Sequence, residues 1–404
     1  MAKANGNQMS DLRRKAFEAL KIKENRRVIL CLDGGGMRGI LTIQLLKKLE
    51  EIAGIPCYEL FDMVAGTSTG GIIAGLITTG HNAIQIEKMY EDLVTQVFDK
   101  RLLGNRFINP PAFTKENYRS LLKDIIKDVT LVQACADREI DLMITSRDMS
   151  AAEETFFSCF KQPDGTYYGT YKDVLLRAVM EATMSAPTYF YPLERFVDGG
   201  TTTYNNPSLA AYMEAVSYSR PMRSAGNPDY ALDAITLFSF GTGIARDFIK
   251  PDEPTKPHGI DIEFWLNWLM TSTGQDASAM QIDIFRSPMI SRVIDFRRFQ
   301  LSLDPKSIQL LPNTNTLDKH KYRSEWLHDL TEDILGNIDM ADITKFDLMK
   351  TIGEQMAAYI VQQGNNFTED LATNGRDLLV TTFGDIVRIQ KQLSAAGWLD
   401  SYKA

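Results

Sequence analysis

Histidine is scarce in this chain: His81, His258, His320 and His328 are the only four in 404 residues. None follows an apolar run in the way a strand end would aim an imidazole at a neighbouring loop. Cysteine is as scarce. Cys31, Cys57, Cys135 and Cys159 are scattered without the paired spacing of a metal site, and three lie in apolar or aromatic runs. No metal is therefore expected, and buried, reduced thiols in a reducing compartment are. No run of about 18 uninterrupted apolar residues exists, so no transmembrane helix is expected. Met1-Ala2-Lys3-Ala4-Asn5-Gly6 lacks the apolar core of a signal peptide. Positive charge is in deficit, 44 Lys and Arg against 52 Asp and Glu, which gives a net charge of −8. That argues against a nucleic acid polymer as partner and against simple adsorption to anionic lipid. A cytoplasmic protein that meets any membrane peripherally is the expectation.

The composition, 44% hydrophobic and 24% charged, is that of a soluble globular protein. The length suits one large α/β domain with additions or two ordinary domains. One stretch organises the chain. The short apolar run from Leu60 to Ala65 ends in Gly66-Thr67-Ser68-Thr69-Gly70-Gly71, and a second apolar run, Ile72 to Ile77, follows with helical character. A strand, a sharp turn and a helix with serine at the turn make the G-x-S-x-G nucleophile elbow. Gly66 and Gly70 relieve the compressed backbone on either side of Ser68. The other reading is a plain glycine-rich strand–helix turn.

Val28 to Leu32 is a continuous apolar run, suited to a central parallel strand. It ends in Asp33-Gly34-Gly35-Gly36-Met37-Arg38-Gly39, and an apolar-faced helix follows. Two successive strand–loop–helix units indicate a parallel sheet with its site at the carboxyl ends of the strands. The loop fits two templates. One is the dinucleotide fingerprint, which wants an acidic residue ending the second strand; Ala65-Gly66-Thr67-Ser68 offers none. The other is an oxyanion hole, in which glycine amides face a developing negative charge.

Along the chain, Ser10 is expected to cap a basic helix running to about Asn25. Residues 84–128 read as helices broken at Asn109-Pro110-Pro111. Strands are expected over Glu139–Thr145, Thr155–Phe160 and Ala234–Phe240, and a helix over Val174–Met184. Asn206 is expected to cap a helix opened by Pro207. Residues 250–259 read as a loop. The helix Ile262–Met270, with Phe264, Trp265, Trp268 and Leu269, is apolar nearly all round, which suits core or a lipid-facing lid. From about residue 320 the chain reads as helices.

A serine hydroxyl needs a base. With the histidines placed as they are, the better candidate is Asp198, after an apolar strand and before Gly199 and Gly200. Its other reading is the first residue of a tight Asp-Gly turn. An aspartate has an ordinary pKa near 3.9, and burial would raise it toward the range of a useful base.

The set Asp33-Gly34-Gly35-Gly36-Met37-Arg38-Gly39, Gly66-Thr67-Ser68-Thr69-Gly70-Gly71 and Asp198-Gly199-Gly200 resembles the patatin-like phospholipases in motif, order and spacing. Ala186-Pro187-Thr188-Tyr189-Phe190, Asn205-Asn206-Pro207, Phe296-Arg297-Arg298-Phe299-Gln300 and Met340-Ala341-Asp342 resemble further segments of that family. The resemblance implies an α/β fold, a three-layer sandwich with a mostly parallel central sheet flanked by helices. It divides the chain into a basic helical segment (1–25), a catalytic domain (26–360) and a helical extension (361–404). It implies phospholipase A-type hydrolysis of membrane phospholipid without metal or cofactor. Ser68 is then the nucleophile and Asp198 the base, with Gly34, Gly35 and Gly36 forming the oxyanion hole. Arg38 either orients a phosphate or makes a structural salt bridge. Some bacterial relatives are switched on by cyclic nucleotides, so a small-molecule activator or a homo-oligomer stays open. A regulatory lipid-binding protein and a nicotinamide- or flavin-dependent oxidoreductase are the alternative readings.

Overall fold

The structure is a computed structural model that describes residues 9–98, 113–218, 230–244, 262–336 and 338–371, with 262–273 described by their backbone alone. The expected 250–259 loop, the break at Asn109-Pro110-Pro111, His258, the aromatic side chains of the 262–270 helix and the chain from 372 onward lie outside the described residues.

The strands are β1 (Arg27–Leu32), β2 (Met63–Thr67), β3 (Asp141–Asp148), β4 (Glu153–Lys161), β5 (Tyr167–Tyr168), β6 (Phe196–Asp198), β7 (Ile235–Phe240) and β8 (Asp295–Phe299). They form one sheet in the order β5-β4-β3-β2-β1-β7-β8, with β6 paired to β3. The pairs from β3 to β8 along this order are parallel, while β4, β5 and β6 join antiparallel.

Alternation along each strand splits the interior into two layers. Val28, Leu30 and Leu32 of β1 face one apolar cluster, shared with the helices Gly39–Ala53, Thr69–Thr78 and Phe346–Gln362. Ile29 and Cys31 face the other, shared with Ser208–Met213 and Ile262–Arg286. β1 is therefore apolar throughout because both of its faces are covered. All four cysteines are buried and unpaired. Among the described residues no helix is long and apolar enough to cross a membrane.

The register on β3 sets the site. β2 pairs with one edge of β3 only as far as Thr67 opposite Thr145. The other edge is taken by β4 through Asp148. β6 then continues along the edge that β2 has left, with Asp198 opposite Ser146. β2 and β6 thus run toward each other, and their carboxyl ends meet at consecutive positions of β3.

Three expectations are corrected. The first helix stops at Ala19 rather than near Asn25, and Lys21 takes a φ of 51°. Ser10 caps it as expected, and it is docked by buried Phe17 and by Arg13, whose Nη2 donates to Asp62 Oδ2 at 2.7 Å. Beyond residue 320 the chain is mostly single turns, two of them capped by Asp318 and Asp342, and one long helix, Phe346–Gln362. Asp295–Phe299, unrecognised as a strand, is β8.

Candidate active site

Ser68 occupies the turn between β2 and the helix Thr69–Thr78, at φ 52° and ψ −121°. That conformation costs a non-glycine residue of order 1–3 kcal/mol and persists only where the surroundings enforce it. Here they do. A Cβ on Gly66 would lie 2.2 Å from the Gly70 carbonyl oxygen, and one on Gly70 would lie 2.2 Å from that of Leu32. The Ser68 amide donates to Thr183 Oγ1 at 2.8 Å, and that hydroxyl donates to the Thr145 carbonyl at 2.7 Å. The elbow is thereby tied to β3.

Ser68 Oγ donates to Asp198 Oδ2 at 2.7 Å. The second carboxylate oxygen accepts the Gly200 amide at 2.7 Å, and the Asp198 amide donates to the Ser185 carbonyl at 3.1 Å. A Cβ on Gly199 would lie 2.2 Å from Thr145 Oγ1, so the turn after Asp198 is pressed onto β3. Asp198 is buried, and burial raises its pKa to about 6 against the lowering effect of Ser68, Gly200 and the Lys115 charge. The Asp-Gly turn and the serine contact are thus both present; the two sequence readings were not exclusive. Among the described residues no histidine joins them. His81 Nδ1 lies 3.1 Å from both Thr79 Oγ1 and the Leu76 carbonyl, and His328 Nε2 lies 2.6 Å from the Leu311 carbonyl. His320 belongs to a one-turn helix capped by Asp318.

The glycine loop narrows the expected set of amide donors. Gly34 is committed, its amide to the Asn205 carbonyl at 3.1 Å, while its own carbonyl accepts from Thr242 Oγ1 at 2.9 Å. No described residue accepts a hydrogen bond from the amides of Gly35 or Gly36. Gly36 has φ 57°, and a Cβ there would lie 2.3 Å from the Met340 carbonyl oxygen. That carbonyl accepts the Met37 amide at 2.8 Å. Arg38 Nε points back to the Gly35 carbonyl at 3.4 Å. Gly39 packs against Thr69 and Tyr90. Tyr90 bridges the two loops, its hydroxyl donating to the Gly36 carbonyl and lying 2.5 Å from Thr69 Oγ1.

Asp33, at the head of that loop, is held by Arg298 of β8 through bonds of 2.8 and 2.5 Å. Burial pushes the Asp33 carboxyl up, and the guanidinium opposes it. Arg298 also donates to Ser239 Oγ at 2.7 Å. Sequence reasoning singled out Ser68, Asp198 and the glycines, and the structure brings Ser68 and Asp198 within hydrogen-bond distance. That reasoning gave no role to Tyr90, Thr183 or Arg298; only Arg298 lay within a segment singled out beforehand.

Ser68, Asp198 and Gly36 open on a narrow pocket of about 50 Å³ whose remaining walls are mostly apolar, among them Leu93, Val97, Met184, Phe190 and Met340, with Thr69 and three tyrosines beside them. Ser68, the buried Asp198 carboxylate and the Gly36 backbone thus share one largely apolar pocket. Residues 30–212 match the sequence model of the patatin-like phospholipase family. The 85/88 kDa calcium-independent phospholipase A2 of Rattus norvegicus is 32% identical over 268 residues, 61% of this chain and 32% of that protein. The cGAMP-activated phospholipase of Escherichia coli strain TW11681 is 32% identical over 236 residues, covering 54% of this chain and 63% of its own length. Patatin-like protein 2 of Oryza sativa subsp. indica is 28% identical over 368 residues, covering 81% and 83%. The chain thus spans about a third of the length of the rat relative.

Proposed function

We propose that this protein is a phospholipase A-type lipid acyl hydrolase acting on membrane phospholipid, with Ser68 as nucleophile and Asp198 as its base. The observation that carries the reading is the 2.7 Å bond from Ser68 Oγ to the buried Asp198 carboxylate. Burial supports the role, because it brings an otherwise feeble base to a pKa of about 6.

Ser68 Oγ attacks the ester carbonyl carbon as its proton passes to Asp198 Oδ2. The carbonyl oxygen becomes an oxyanion facing the Gly35 and Gly36 amides. As the tetrahedral species collapses, the carbon–oxygen bond to the glycerol breaks, and the leaving alkoxide takes the proton from Asp198. Water then attacks the acyl-serine, gives its proton to Asp198, and the fatty acid departs as Ser68 recovers that proton. The apolar pocket takes acyl chain, and Arg38 at the mouth of the loop orients the headgroup phosphate.

The test is lipid profiling of a membrane extract treated with wild type and with Ser68→Ala. Free fatty acid and lysophospholipid should accumulate with wild type alone, and a fluorophosphonate probe should label Ser68. Equal products from both proteins would end the assignment. Binding of vesicles by both with no product from either would favour the regulatory lipid-binding alternative.

A further inference from the structure

A second buried charge lies behind Asp198, and the reaction scheme does not use it. Lys115 precedes the helix Glu116–Ile126 and is 7% exposed. Its Nζ donates to Ser185 Oγ at 2.5 Å and stands 3.4 Å from Glu181 Oε1. Glu181 is already held by the Arg119 guanidinium through bonds of 2.8 and 2.6 Å. A buried cation is costly unless well paired, and the carboxylate beside this one has a guanidinium of its own. Ser185 gives the lysine another reason to be there. Its hydroxyl donates to the Glu181 carbonyl at 2.6 Å, and its carbonyl accepts the Asp198 amide at 3.1 Å. The same residue receives Lys115 on its side chain and anchors Asp198 with its backbone.

The other charged groups around Asp198 are few, and Tyr90, Tyr118 and Tyr189 line the same pocket. The elbow helix Thr69–Thr78 carries no charged residue, and its turn offers only the Ser68 hydroxyl. The turn after β6 offers the Gly200 amide. On β3, Asp148 pairs with Arg195 at 2.9 Å and Arg147 reaches the Ala152 carbonyl at 3.1 Å, both toward the far end of β6. The helix Leu176–Thr183 contributes Glu181, with Arg119 and Lys115 beyond it.

We propose that Lys115 is a positioning residue for the base: through Ser185 it fixes the backbone that carries Asp198, and it places a buried positive charge on that side of the carboxylate. The proposal rests on the reading of Asp198 as the base. In support, the Lys115 charge opposes the burial that raises the Asp198 pKa, while burial depresses the pKa of Lys115 itself.

The test is the pH profile of kcat/KM for Lys115→Met on a soluble nitrophenyl ester. The ascending limb should move to higher pH by about one unit, the low end of what a neighbouring opposite charge does to a carboxylate. The rate should recover well above the limb, and KM should change little. Lys115→Arg should return the limb toward its wild-type position. A folded Lys115→Met with an unmoved limb, whether its rate is normal or uniformly lowered, overturns the proposal. If Lys115→Met does not fold, Lys115→Gln takes its place; a shift in the same direction is expected, and an unmoved limb overturns the proposal equally. Asp198→Asn is measured alongside. Turnover retained there defeats the base assignment itself, whereas a dead Asp198→Asn beside an unmoved Lys115→Met limb defeats only the role of Lys115.

Discussion

Two buried aspartates end strands of this sheet, and each is followed by glycine: Asp33 before Gly34-Gly35-Gly36, and Asp198 before Gly199-Gly200. In sequence they look alike. Their partners set them apart. Asp33 faces a guanidinium that fills both of its oxygens. Asp198 faces one hydroxyl and one amide, with a lysine at one remove. A carboxylate in a bidentate ion pair has no oxygen to spare for a proton in transit. One that accepts a hydroxyl proton at 2.7 Å has its acceptor already aligned. The first arrangement holds a loop in place, and the second is the one that the proposed role of Asp198 as base requires.

The largest effect that separates the two is on rate. Asp198→Asn should lower kcat on a soluble ester by about 10²–10⁴-fold, the range for loss of a general base. Ser68→Ala should lower it at least as far. Both should keep the wild-type circular dichroism spectrum. The contrast breaks if Asp198→Asn turns over normally while a folded Asp33→Asn does not.

The next effect is on stability, and a different substitution reads it at each aspartate. Arg298→Met leaves Asp33 as a buried charge without its guanidinium, a change that costs about 3–5 kcal/mol. Urea unfolding should show it. For Asp198 the folded pKa of about 6 lies above the ordinary 3.8. The folded state therefore binds the proton more tightly than the unfolded state does. The resulting stabilisation is complete below about pH 4 and is lost as pH rises through about 6. At neutral pH the ionised carboxylate is thus a burden of up to roughly 3 kcal/mol. Asp198→Asn should be no less stable than wild type at pH 7, and a large loss in urea midpoint would contradict that account.

The same comparison explains what the sequence made legible. β1, β2 and β7 are buried on both faces, so they read as apolar runs, and the loops after β1 and β2 are glycine-rich because backbones approach each other there. That is local information. β8 carries Arg297 and Arg298 side by side, a pattern that reads as exposed. Both are almost fully buried: Arg298 reaches the distant Asp33, and Arg297 pairs with Asp295 two residues before it and also donates to the distant Leu20 carbonyl and to that of Phe367. A short window shows Asp295 beside Arg297, and it does not show the distant partners. The helix Leu131–Arg138 was passed over for a different reason, being short and weakly apolar, although Thr130 and Gln133 form a capping box at its start. Gly34 shows the limit within a recognised motif. Its residue type fits an oxyanion donor, and only the structure reveals that its amide belongs to Asn205.

A smaller effect follows from the Asp198 environment. The ascending limb of kcat/KM should lie near pH 6, with the rate falling about tenfold per unit below it, because only the ionised carboxylate accepts the serine proton. Fluorophosphonate labelling of Ser68 should follow the same limb. An Asp33 variant that stays folded should lower the plateau and leave the limb where it is, since Asp33 neither gives nor takes the reacting proton. A limb near pH 4 would mean that the pocket is wetter in solution than its burial indicates.

The smallest expected effect is the one that a histidine-based mechanism would make largest. Most serine hydrolases pass the proton through an imidazole, and an imidazole also titrates near pH 6.5. The pH limb alone therefore does not separate an elevated aspartate from an ordinary histidine. Substitution does. His81 is engaged with Thr79 and the Leu76 carbonyl behind the elbow helix, His328 with the Leu311 carbonyl, and His320 lies on a one-turn helix. None of the three shares a hydrogen bond with Ser68 or Asp198. Replacing each singly by Gln should change kcat/KM by no more than about twofold. The same is expected of His258→Gln, because the single proton that Ser68 must release already has its acceptor in Asp198 Oδ2. A folded histidine variant that lost about a hundredfold, the scale of a missing general base, would require a triad. Asp198 would then orient the imidazole, and the two buried aspartates would both be holding something in place.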